Sequence, residues 1–115
     1  MRLRAIASAA ACALALLLTA PGPASAAEGE FSYTYVDANG ANQFGYLNNP
    51  VSKECIVIPQ AADPEKTKPA FAANNRASTK ATTWSETNCT GNRYSVKAKT
   101  GVGNARQKFR SVMFS

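Results

Sequence analysis

From Ala27 onward the chain contains no run with the apolar period of a helix, and every apolar stretch is short and ends at Gly, Asn or Pro. A chain punctuated in this way buries its side chains by pairing short strands. Phe31-Ser32-Tyr33-Thr34-Tyr35-Val36 alternates aromatic with small hydroxyl residues, the period of two of a strand with one buried face. Asp37-Ala38-Asn39-Gly40 follows, and Asn-Gly is a strong hairpin signal because both residues tolerate positive φ. The return strand is predicted over Gln43 to Leu47, with Phe44 and Tyr46 on one face, and it stops at Asn48-Asn49-Pro50.

Cys55-Ile56-Val57-Ile58 is a continuous apolar run between Glu54 and Pro59, which predicts a central strand buried on both faces. Gln60 to Asn75 carries Pro64, Pro69 and mixed charge without periodicity, which predicts a long surface loop with at most one helical turn. Hydroxyl and β-branched residues resume from Ser78 to Trp84, and Ser85-Glu86-Thr87-Asn88-Cys89-Thr90-Gly91 turns the chain back. Arg93 to Lys99 then alternates, with Tyr94, Val96 and Ala98 on one side and Arg93, Lys97 and Lys99 on the other. Thr100 to Ala105 reads as a flexible loop, and Gln107 to Phe114 as a last strand whose two apolar phases indicate a central position or a bulge. Six or so short strands make the fold class all-β, a small Greek-key β-sandwich.

The residues before Ala27 differ in kind. Met1-Arg2-Leu3-Arg4 is basic, Ala5 to Ala20 is apolar, and Ala24-Ser25-Ala26 is a small-residue cleavage site, the pattern of a secretory signal peptide. The expected product is one secreted, extracellular β domain over 27–115, released behind Ala26 with Cys12 lost in the leader and no membrane span. Cys55 and Cys89 then remain as an even pair in an oxidising exterior, which predicts one disulfide. Closing a loop of about 34 residues stabilises a small domain by roughly 4 kcal/mol.

Charge is divided along the chain. Between Ala27 and Glu65 six acids face Lys53 alone; between Lys66 and Ser115 ten bases face Glu86 alone. Two halves of opposite sign attract when packed, and a basic face is left over.

The spacing of Trp84, Cys89 and Gly91, followed by Tyr94-Ser95-Val96 and Phe109-Arg110-Ser111-Val112-Met113-Phe114, resembles one motif of the βγ-crystallin superfamily. Cys89 stands where that pattern usually has a second aromatic. Asn74-Asn75-Arg76-Ala77-Ser78-Thr79 looks like the calcium signature of the same superfamily, with Thr79 where Ser is usual. The whole of 27–115 is also similar to small basic proteins secreted by actinobacteria, some of them killer-toxin-like or metalloproteinase-inhibitor-like. The resemblance implies a Greek-key fold, paired if both halves follow the motif, and a calcium site at Asn74, Asn75, Ser78 and Thr79. The alternative for these four is a turn in which Asn side chains cap backbone groups, since none brings negative charge and Arg76 and Lys80 lie alongside.

Catalytic residue types are scarce. There is no histidine, which removes the commonest general base and any histidine-dependent triad or zinc site. Glu28 with Glu30, beside a frayed end, and Asp63 with Glu65, on the loop, are read as solvated surface. A non-enzymatic protein without a resident cofactor is expected. Arg93, Lys97, Lys99, Arg106, Lys108 and Arg110 form the other candidate, a basic stripe suited to an anionic cell-wall or surface polymer, with a solvated face as the alternative. The leading expectation is a monomeric surface-binding module, antimicrobial or cell-surface related, with nucleic acid not the expected partner. The second is an inhibitor of a secreted protease that inserts a rigid loop from 60–75 or 100–105.

Overall fold

The computed structural model describes residues 26–102 and 105–115, so the leader before Ala26 lies outside the described residues. Alternation sets the first hairpin. β1 (Glu30–Val36) turns Phe31 and Tyr33 inward and pairs antiparallel with β2 (Asn42–Asn48) along its whole length, from Glu30 opposite Asn48 to Val36 opposite Asn42. The Asp37 carboxylate closes the turn by accepting from the Asn39 and Ala41 N–H groups and from Gln43 Nε2. On β2, Gly45 sits against Tyr33, and a Cβ at that position would overlap the phenol ring. Glycine there lets the aromatic lie flat on its neighbour strand.

Six more strands follow: β3 (Ile56–Val57), β4 (Phe71–Asn75), β5 (Ala81–Trp84), β6 (Arg93–Val96), β7 (Gly101–Val102) and β8 (Ser111–Phe114), with one 3₁₀ turn at Pro59–Ala61. They form two four-stranded sheets in the orders β2-β1-β4-β7 and β3-β8-β5-β6, with every strand pair antiparallel. Read from its other end, the second sheet runs β6-β5-β8-β3. That is the first order with each strand replaced by its counterpart four places on. The chain is therefore two related Greek keys, β1–β4 and β5–β8, and each gives its third strand to the other's sheet.

Packing between the sheets follows from their inward phases. Phe31 of β1 meets Phe114 of β8 edge to face at 5.3 Å and Phe109 at 6.2 Å, while Tyr33 meets Phe109 at 6.4 Å. Ile58, Val96 and Val112 fill the space beside these rings, and small residues at Ala70, Ala73, Ala77 and Ala81 let the backbones approach.

Several sequence expectations change. Cys55 to Ile58 is not a central strand: β3 lies at the edge, paired only with β8, and both Cys55 and Val57 are exposed. The far end of the predicted 60–75 loop is β4, a central strand that hydrophobic alternation did not reveal. After Phe71 its residues are only Ala and Asn, and it is broken by Ala72 at φ 55° where the register on β1 shifts. The predicted 100–105 loop holds β7, with Gly103 and Asn104 outside the described residues. The Glu28 segment is not frayed, because Ala27 N–H donates to the Pro50 carbonyl, Ser78 N–H donates to the Glu28 carbonyl and Glu28 N–H donates to Ser78 Oγ. Of the central position or bulge that the two apolar phases of 107–114 indicated, the structure has the central position, in a strand confined to Ser111–Phe114.

The predicted disulfide is present, with Cys55 and Cys89 Cα atoms 5.9 Å apart. It joins the chain just before β3 to the β5–β6 connection, which pins the strand given up by the first Greek key into the second sheet. Cys89→Ser should lower unfolding stability in urea by about 4 kcal/mol without changing the far-ultraviolet signature of the folded state.

Candidate functional site

The β5–β6 connection is held in a fixed fold. Ser85 N–H donates to Asn92, Glu86 N–H to Thr90, and Gly91 at φ 90° brings its Cα against Ser85 Oγ, where no Cβ would fit. Buried Ser111 of β8 ties this connection down from below: its hydroxyl accepts from Cys89 N–H at 2.9 Å and donates to the Glu86 carbonyl. The connection therefore keeps Trp84, at its root, on the outer face of the second sheet.

On that face Trp84 stands opposite Arg93, whose guanidinium carbon lies 5.7 Å from the indole centroid. Thr82 and Met113 continue the same face one pair further along. Two more cations arrive from other segments. Lys53 is anchored by its N–H to the Phe114 carbonyl at 2.6 Å, and Lys80 accepts from the Ser115 N–H at 3.0 Å. Lys53, Lys80, Thr82, Trp84, Arg93, Met113, Phe114 and Ser115 together line a hollow of about 270 Å³. No side-chain carboxylate lines it. The indole N–H of Trp84 is sheltered and has no acceptor among the described residues.

Of the basic stripe expected from the sequence, only Arg93 is here. β6 ends at Val96, so Lys97 and Lys99 sit on the β6–β7 crossing instead of on a strand face. Lys97 gives its carbonyl to Thr100 Oγ1 and Asn75 Nδ2, and Lys99 adopts φ 57° and donates its N–H to Ala77. Lys108 lies 4.9 Å over the Phe71 ring, and Arg110 is turned inward onto Ala61 and Thr67 oxygens at 2.9 to 3.2 Å. The predicted single face is therefore divided among four locations. For Lys97 and Lys99 the reason is the strand exchange, which ends β6 at Val96 and sends the chain to the other sheet.

The expected calcium residues are near in sequence, and two of their four side chains are engaged within the protein. Asn75 is fully buried: its Nδ2 serves the Thr79, Val96 and Lys97 carbonyls at 2.9, 3.0 and 3.3 Å, and its Oδ1 accepts from Ala77 N–H. Ser78 Oγ accepts from Glu28 N–H. Asn74 Oδ1 and Thr79 Oγ1 are the sheltered oxygens left without a partner. Among the described residues no group of three or more His, Cys, Asp or Glu could hold a metal ion. The capping alternative fits the geometry, and two of the four side chains are already committed to protein donors.

Lys53 and Lys80 were not singled out from sequence, because one is the lone base of the acidic half and the other flanks the Asn-rich turn. Only the fold brings them beside Trp84. No family model, curated protein or solved structure matches the chain.

Asn75→Ala would leave three carbonyls and one N–H without their buried partner. It should cost roughly 3 kcal/mol in thermal or urea unfolding, equally with calcium and with chelator present. A loss confined to calcium-loaded samples would restore the metal reading.

Proposed function

We propose that this protein is a secreted, non-enzymatic Greek-key module of βγ-crystallin type that binds an anionic cell-wall or surface polymer through the Trp84 hollow. The observation that carries this reading is three cationic side chains, Lys53, Lys80 and Arg93, around the chain's single tryptophan with no side-chain carboxylate on the wall. Such a site attracts a polyanion by counterion release, while the indole face and the Met113 side chain offer apolar contact to the polymer backbone. The paired Greek keys are in keeping with the resemblance that the Trp84 motif carries, and the Cys55–Cys89 disulfide stands where that motif has an aromatic. Export is supported by the leader pattern and by the disulfide, and no helix among the described residues is long and apolar enough to cross a membrane.

Two charge-reversal triples with the same change in net charge test the site. Lys53→Glu with Lys80→Glu and Arg93→Glu should elute from an anionic matrix at much lower salt than the parent. Lys97→Glu with Lys99→Glu and Lys108→Glu should elute much closer to the parent. Equal shifts in the two triples would mean that net charge alone governs retention.

Inhibition of a secreted protease is the second reading, because Arg110 clamps the exposed 63–67 turn from beneath and so makes a rigid projection. That reading requires inhibition of a subtilisin-like or thermolysin-like enzyme, abolished when 63–67 is replaced by a Gly-Ser linker; a polymer-binding module would show no inhibition in the same assay.

A further inference from the structure

A second hollow, of about 480 Å³, opens between the β1–β2 turn and the 60–68 segment. Its size is that of a small-molecule pocket. Tyr35, Gln60, Lys66 and Lys68 line it, and the 36–40 turn, Asp37 included, forms one wall.

Both walls are fixed before any ligand arrives. On one side the Asp37 carboxylate already accepts the Asn39, Ala41 and Gln43 donors, and the Ala41 N–H, then the Gln43 amide, hold its carboxyl below the ordinary value. The lining therefore holds one carboxylate against the two ammonium groups of Lys66 and Lys68, which leaves it net positive. On the other side Asp63 accepts backbone bonds from Lys66 and Thr67 and a side-chain bond from Thr67, and Arg110 grips Ala61 and Thr67. That clamp leaves the adjacent Lys66 and Lys68 side chains on the rim.

The floor is equally defined. The buried Tyr33 hydroxyl donates to Gln60 Oε1 at 2.7 Å, which fixes the amide and leaves its two Nε2 hydrogens available. Half-buried Tyr35 packs at 6.4 Å from Tyr33 and lends its ring to the hollow. An aromatic platform, an oriented amide donor and two ammonium groups are the recognition elements of a ring-shaped polar ligand that carries one negative charge.

We infer that the hollow between the 36–40 turn and the 60–68 segment binds an acidic hexose, with the sugar ring on Tyr35, a hydroxyl on Gln60 Nε2, and the carboxylate or phosphate substituent on Lys66 and Lys68. This site is separate from the Trp84 hollow and stands or falls independently of it.

The test is a titration of the full chain, followed by ¹H–¹⁵N spectra, with glucuronate, glucose 6-phosphate, glucose and inorganic phosphate as probes. Saturable shifts with either acidic sugar at Ala38, Gly40, Lys66, Lys68 and the Gln60 side-chain amide support the inference, and the better probe identifies the acidic group. Affinity should fall about tenfold in a Lys66→Gln, Lys68→Gln double variant, whose exposed positions leave folding intact. Trp84 fluorescence should stay constant throughout. The inference is overturned by absence of saturation with both acidic sugars, by equal binding of glucose or of phosphate alone, by an unchanged double variant, or by shifts centred on Trp84.

Discussion

Neither Greek key completes its own sheet, and the structure depends on how the two exchanged strands are held. β3 and β7 are each two residues long, too short to be kept in place by ladder bonds alone. The first crossing is fastened covalently, by Cys55–Cys89. The second is fastened by one buried amide, since Asn75 of β4 reaches the Val96 and Lys97 carbonyls where the chain leaves β6. The two crossings thus meet the same mechanical need with different chemistry at positions that do not correspond. Cys89 and Asn75 are the residues that meet it.

Much of the architecture was legible in the residues. The first hairpin, the 84–91 turn, the disulfide and the central last strand were all marked by alternation, turn chemistry or cysteine count. The strands that escaped notice are those whose identity depends on a partner. β4 is Ala and Asn after Phe71, with a positive-φ break, β7 contains a glycine, and β3 looks central because its apolar run is continuous, although it has a neighbour on one side only. Hydrophobic patterning reports burial, and these segments are placed by exchange instead.

The candidate site was less legible for the same reason. Alternation assigns Arg93, Lys97 and Lys99 to one strand face only if the strand lasts that long, and it ends at Val96. Lys53 joins Arg93 because residues 52–53 lie along the end of β8, a contact between opposite halves of the chain. The charge division along the sequence therefore does not survive as a division of the surface. Arg110 shows the converse, a base that composition assigns to the basic face and that the fold uses as an internal brace for the 61–67 segment.

The two fastenings also differ in how they fail. A disulfide holds under thermal fluctuation and yields to reductant, whereas a buried amide yields whenever the backbone around it opens. The β7 edge of the first sheet is thus the natural seam for sub-global opening, and the β3 edge of the second is the part of the molecule that stays joined. Because each sheet also waits for a strand from the far half, most of its pairings close long loops, and the chain forms as one slow cooperative unit instead of as two successive motifs.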